Sequence, residues 1–209
     1  MAYRLAAVSI GLIIGAYWAR VARMARKARR NTGRAANFLP PEPIGRFLRL
    51  IWIPIVVIWI VHPFLTAAAR PSWTILRPLY RRASIAWPMA AIVLACFLAT
   101  RACWKFMGKS WRMGIDPSEK TTLILDGPWA RVRHPIYALS QAMMLATIIA
   151  IPSPLLIAAG LLHLTLLQWE ARREEAHLKA VHGQPYVDYC ARVRRFLPLS
   201  RRIAKPGSP

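Results

Sequence analysis

Apolar positions fall into long blocks separated by short basic or proline-rich stretches. The blocks are Leu5 to Trp18, Phe47 to Ala69, Ile85 to Trp104, Ala138 to Ala150 and Leu155 to Trp169. Blocks this long and this poor in charge predict membrane-spanning helices rather than the core of a soluble domain. The first, with its flanks, reaches the roughly 20 residues that a span requires. A signal peptide is the competing reading of that block. The region after Trp18 argues against it, because it is heavily basic and has no small-residue cleavage pattern. Pro54 and Pro63 predict kinks in the second block, where neighbouring helices must satisfy the freed backbone groups. Trp52, Trp59 and Trp73 are read as interface anchors. The last two blocks are joined by Ile151-Pro-Ser-Pro154, a tight turn between helices. Each arm of this hairpin would be about 21 to 24 Å long at 1.5 Å per residue, short of a hydrocarbon core of ~30 Å. Such a hairpin sits low in the bilayer or is extended at its other end.

Charge then orients the blocks. The chain has 30 Lys and Arg against 8 Asp and Glu, a net charge of +22. The basic residues flank apolar blocks, so topology and lipid head groups account for them. No zinc-finger or RNA-binding signature is present, which argues against nucleic acid as a partner. Arg20 to Arg34 carries seven positive charges and is read as a cytoplasmic loop, with the N-terminus outside. Arg70 to Arg82 carries four and is placed outside, outweighed by the nine between Arg20 and Arg49. Asn37 to Pro43 reads as a non-helical connector and Met107 to Asp126 as a cytoplasmic loop. Cys96, Cys103 and Cys190 have neither the number nor the spacing of a disulfide framework or a zinc site, and read as packing residues. The expected fold is all-α and integral to the membrane. It has about five transmembrane helices, including the short C-terminal hairpin, with cytoplasmic amphipathic helices. Residues 1–110 form an N-terminal transmembrane region of three spans, and residues 111–209 form the region that carries the chemistry. The residue usage points to a bacterium, hence to the inner membrane with the site facing the cytoplasm.

The chemistry concentrates in two stretches. In Gly127-Pro-Trp-Ala-Arg-Val-Arg-His-Pro-Ile-Tyr137, Pro135 suits the first turn of a helix and pushes His134 out of helical geometry. The first-turn amides and Arg133 would favour a carboxylate or phosphate. The plainer reading is a capped helix start at a membrane interface. In the second stretch, three of the 8 acids, Glu170, Glu174 and Glu175, fall within six positions at the end of an apolar block. Glu170 and Glu174 share a helix face and Arg173 is adjacent. A carboxylate there suits a ribose diol, an amine or a cationic ligand. The plainer reading is a solvated helix end with weak Glu–Arg pairs. Gly183 is a natural helix stop. Tyr186, Tyr189, Cys190 and Val193 then mark one face of a short amphipathic helix, with Arg192, Arg194 and Arg195 off that stripe and free to meet anionic lipid.

The last eighty or so residues resemble the isoprenylcysteine carboxyl methyltransferase and phospholipid methyltransferase superfamily, integral-membrane enzymes that use S-adenosylmethionine. The resemblance rests on Gly-Pro-Trp-x-x-x-Arg-His-Pro-x-Tyr and on Arg-Glu-Glu-x-x-Leu-x4-Gly-x-x-Tyr-x-x-Tyr ending in Arg195-Phe-Leu-Pro198. It implies that His134 and Tyr137 contact the cofactor and that Trp129 stands where the family usually has an aromatic. It also implies that Leu123 and Ile124 run along the cofactor, with Gly127 and Arg133 part of the same motif. Glu174 matches the cofactor-binding acid and Glu175 stands beside it. Glu170 departs from the prenylcysteine branch, which has an Arg there, and better suits an amine or neutral acceptor.

The implied activity is methyl transfer to a lipophilic acceptor: a phospholipid amine, an isoprenylcysteine-like carboxylate or a small thiol. Trp129 or Tyr137 could face the sulfonium. Glu170, Arg173 and His134 are the candidate catalytic residues, with Glu170 or His134 as base; no metal is implied. The bilayer and a lipophilic acceptor are the implied partners. Two rival readings remain: an NADPH-dependent membrane reductase of the sterol-reductase type, and a non-enzymatic membrane scaffold or lipid-binding protein.

Overall fold

The computed structural model describes residues 1–32, 42–68, 73–108, 111, 115 and 123–198. Arg34, most of the Asn37–Pro43 connector, Arg70, Lys109, Arg112, most of the 107–126 loop and the tail from 199 lie outside the described residues. Among the described residues the fold is all-α. Helix α1 spans Ala2–Thr32, α2 Pro43–Ala68, α3 Ala83–Met107, α4 Pro135–Ala150, α5 Pro154–His182 and α6 Gln184–Arg192. Four helices are long and apolar enough to cross a membrane: α1 over Ala2–Ala28, α2, α3 and α5. Helix α4, at 16 residues, is shorter. The chain is thus an all-α membrane protein with a short helical arm, as the apolar blocks predict.

The helices extend beyond the apolar blocks. Helix α1 continues through Arg20–Arg30, which the sequence reading treats as a loop. Ala, Arg and Lys are strong helix formers, and Val21 and Ala25 stay buried on the inner face. Helix α2 starts at Pro43 rather than after it, since proline's fixed φ suits a first helical position. It runs on through Pro54 and Pro63.

Each spanning helix buries a stripe and leaves apolar side chains outward. On α1 the stripe is Tyr3, Ala6, Ile10, Ile14, Tyr17 and Val21; on α3 it is Ala86, Ala90, Val93, Cys96, Thr100 and Cys103. The steps of three and four keep them on one face, and the small residues of α3 let helices approach closely. Leu5, Leu12, Val57, Leu65, Leu94, Leu98 and Leu161 are exposed, as expected of surfaces that meet lipid. Helix α3 packs on α4 and α1, α1 on α2, and α5 on α2 and α4. Gly160 leaves room for α4 against α5; a Cβ there would lie 2.3 Å from Ile148 Cδ1.

Two tryptophans assigned to the interface are tied to other helices, Trp59 buried and Trp52 half-buried. Trp59 is fully buried and donates to Thr147 Oγ1 at 3.0 Å. Trp52 donates to His163 Nδ1 at 3.1 Å. An indole N–H in an apolar interior must find an acceptor, and α4 and α5 supply it. Trp73 is 71% exposed.

The hairpin's short arm is closed at its tip. Leu79 N donates to Pro152 O at 2.7 Å and the Tyr80 hydroxyl to Ile149 O at 2.6 Å. Carbonyls freed where α4 ends are therefore satisfied by the segment before α3. Ser153 accepts from Leu156 N, capping α5, and contacts His62 Nε2 at 2.9 Å. At the other end of the hairpin, α5 continues past its apolar part to His182, so the extension lies on the side of His134 and Glu170.

Candidate active site

The site is assembled at the start of α4 and the polar end of α5. Gly127 has φ +61°, and a Cβ on it would lie 2.6 Å from the Phe106 ring at the end of α3. Only glycine provides both the left-handed backbone and the room. Phe106 in turn stacks on Trp129, centroids 5.9 Å apart. The Gly127–Ala130 turn is thus seated on α3. Two residues after it, the chain pairs in parallel with the segment following α6: Val132 bridges Arg194. Arg133 N donates to Arg194 O at 2.9 Å and His134 N to Arg195 O at 3.0 Å.

This pairing brings the two motifs together. His134 is buried, with Nδ1 3.5 Å from Glu174 Oε2 and Nε2 3.2 Å from Glu175 Oε1. Burial opposes its protonation, but hydrogen bonds to the two carboxylates outweigh burial and raise its pKa above the usual histidine value. Its ring stacks on Tyr137, 5.3 Å between centroids and 4° between planes.

The adjacent acids diverge in environment. Glu175 is buried and receives Arg133 Nε at 3.0 Å, Arg195 Nε at 2.8 Å and Arg195 Nη2 at 2.7 Å. Arg195, off the stripe and assigned to lipid by the sequence reading, is instead clamped to this carboxylate. That bond is the largest contribution raising its pKa above an already high value. Arg133 is also committed: its Nη1 donates to Cys190 O at 3.0 Å and Val193 O at 2.6 Å. The Arg133 guanidinium, expected to help hold an anion, is thus engaged inside the protein. Glu174, by contrast, keeps 32% of its side chain exposed and lines a cavity.

That cavity, of about 200 Å³, lies between α1, α2, α3, α4, α5 and α6. Of the sequence-predicted residues, Leu123, Ile124, Trp129, Arg133, His134, Tyr137, Glu170 and Glu174 line it. Gly127, Arg173 and Glu175 do not; they hold neighbours in place. Arg173 donates to Glu170 Oε2 at 2.7 Å and pairs with Glu42 ahead of α2. Tyr186 and Tyr189 of α6 close the wall beside Glu174, and the Tyr189 hydroxyl donates to Trp129 O at 2.6 Å. Burial pushes both phenols above their ordinary range.

The model of the phospholipid methyltransferase family matches residues 83–185, about half of the chain. This part of the chain belongs to that family. Both the hairpin and the two converging motif stretches to Pro185 fall inside the match. Membership of this methyltransferase family agrees with the sequence resemblance and supports an enzyme. No curated protein and no solved structure matches the chain significantly.

The family region does not supply the whole cavity. Tyr17, Trp18 and Val21 of α1 and Gly45, Leu48, Arg49 and Trp52 of α2 complete it. Sequence reasoning missed these residues. The signal available was Arg49 itself, a cation within an apolar helix, since an ionisable residue in such a setting marks a functional position by default.

Proposed function

We propose that the chain is an S-adenosylmethionine-dependent methyltransferase that acts on a lipophilic amine. Glu174 carries the reading. It is a partly exposed carboxylate on a cavity wall that otherwise offers aromatic and aliphatic groups: Trp129, Tyr186, Tyr189 and Leu178. A carboxylate fits the paired hydroxyls of a ribose, aliphatic side chains fit a nucleoside, and ring faces fit a sulfonium. When bound, S-adenosylmethionine supplies an electrophilic methyl carbon, whose bond to sulfur breaks with its electron pair going to sulfur as the acceptor's lone pair forms the new bond.

The protein's share is positioning and exclusion of water. His134, held between Glu174 and Glu175 with its pKa raised by the two carboxylates, serves to orient Glu174 rather than as a base. Glu170 lines the same cavity and takes the proton that an amine must shed. Arg173 fixes the Glu170 carboxylate at 2.7 Å. The acceptor enters from the bilayer, since the cavity is walled by membrane helices.

The site faces the cytoplasm in this reading. Tyr17, Trp18 and Val21 line the cavity just before Arg23, Arg26, Lys27 and Arg30 of the same helix, and such a basic end stays inside. Tyr80 binds at the opposite end of α4, which puts the segment before α3 outside.

Calorimetric titration of the detergent-solubilised protein with S-adenosylhomocysteine, with NADPH alongside, tests the reading. Saturable binding of the former alone supports it. Binding of NADPH alone would favour a reductase, and binding of neither by a folded protein a scaffold.

A further inference from the structure

We infer that His163 is a positioning residue. It is a buried imidazole that ties the α2 wall of the cavity to α4 and so sets the shape of the side that receives the methyl acceptor. The inference rests on the methyltransferase reading and adds to it a residue that does not itself line the cavity.

His163 stands in the apolar part of α5 and is fully buried. An ionisable side chain inside a membrane helix is costly and calls for a reason. Both of its hydrogen-bond partners line the cavity. Trp52 Nε1 donates to His163 Nδ1 at 3.1 Å, and His163 Nε2 lies 3.1 Å from Ser140 Oγ. An indole N–H can only donate, so Nδ1 accepts, and the ring proton stands on Nε2 and is given to Ser140. With both nitrogens engaged, the imidazole has one tautomer and one orientation.

The contacts close into a circuit. The Ser140 hydroxyl also faces the Tyr17 phenol. Tyr17 meets Trp18 edge-on, 5.1 Å between centroids, and Trp18 meets Trp52 edge-on at 4.9 Å. The circuit passes through α5, α2, α1 and α4, and every member except His163 lines the cavity. Tyr17, Trp18 and Trp52 precede the family match, whereas Ser140 and His163 lie within it. His163 is thus the link that registers the aromatic wall of the N-terminal helices against α5, which carries Glu170. Catalysis by positioning tolerates little displacement of such a wall. Without His163 the Trp52 N–H would lose its acceptor in an apolar interior, and the ring would turn to find another.

The test compares wild type, His163→Leu and His163→Gln in detergent. Leucine fills the space and makes neither bond. A glutamine carbonyl can accept from Trp52 while its amide donates to Ser140. Dodecylamine, a plain lipophilic amine, is titrated at saturating S-adenosylhomocysteine and read from tryptophan emission, because Trp18 and Trp52 line the cavity. His163→Leu should weaken dodecylamine about fivefold or more, as for a stranded buried donor, and change S-adenosylhomocysteine affinity less than about twofold. His163→Gln should recover most of the loss.

Equal losses of both ligands, in step with a lower thermal midpoint, would mean that His163 serves only the fold, and would overturn the inference. So would undiminished dodecylamine binding in His163→Leu, or a His163→Gln variant no better than His163→Leu. Wild type that binds S-adenosylhomocysteine but not dodecylamine would overturn it too, while leaving the methyltransferase reading in place. Wild type that binds dodecylamine but not S-adenosylhomocysteine would instead remove that reading. The three variants would then still decide the role of His163, with thermal unfolding as the check on folding.

Discussion

The His134 ring spans two successive carboxylates, Nδ1 to Glu174 at 3.5 Å and Nε2 to Glu175 at 3.2 Å. A histidine so placed is a strut. It joins the acid that faces the cavity to the acid that binds the C-terminal segment.

Because its folded pKa is raised above the unfolded value, His134 adds stability that is full below about pH 6.5. That stability is lost as pH rises through the higher folded value. Thermal midpoints of wild type and His134→Asn in detergent should therefore differ most at pH 6 and converge towards pH 9. A gap that stays constant with pH would show that the imidazolium is not what stabilises the fold.

Glu174→Ala should weaken S-adenosylhomocysteine about 10- to 100-fold, as for loss of a hydrogen bond to a charged group. Its thermal midpoint should move little, since the side chain is partly exposed. Full cofactor affinity in this variant, measured calorimetrically, would remove Glu174 from the site.

Glu175→Ala should behave in the opposite way. It strands Arg133, His134 and Arg195 around a vacated buried position. Breaking a buried ion cluster costs about 3–5 kcal/mol. The expected result is a large drop in unfolding midpoint and early proteolysis of the segment after α6. A midpoint like that of wild type would contradict the geometry.

Gly127→Ala adds a Cβ at 2.6 Å from the Phe106 ring, at φ +61°. Strain of this kind costs about 1–3 kcal/mol. Phe106 must move, and Trp129 stacked on it moves with it. Trp129 emission should shift and S-adenosylhomocysteine affinity fall, even though Gly127 does not line the cavity. An unaltered spectrum would mean that the turn absorbs the methyl elsewhere.

Much of the fold could be read from the sequence because membrane helices are encoded locally, in unbroken apolar blocks and their basic flanks. Gly183 ends α5 where expected, and Tyr186 and Tyr189 form the buried face of α6. The two motifs announced that His134, Tyr137 and Glu174 belong together. The different environments of Glu174 and Glu175 were not legible. Neighbours on a helix point about 100° apart, and only the packed structure shows which direction meets the cavity. Arg195 pairs with an acid 20 positions away, a relationship that no periodicity records. Trp52 and Trp59 look like interface residues until their acceptors on other helices are known.

The bridge between Val132 and Arg194 has a consequence for how the protein is made. A chain emerges from the ribosome at about 5–20 residues per second. The backbone amides of Arg133 and His134 acquire their partners only when Arg194 and Arg195 arrive. All five membrane-associated helices precede that moment in the chain. Insertion into the bilayer can therefore run ahead of completion of the pocket, and a ribosome that stalls before Arg194 would leave an inserted bundle unable to fasten its binding site.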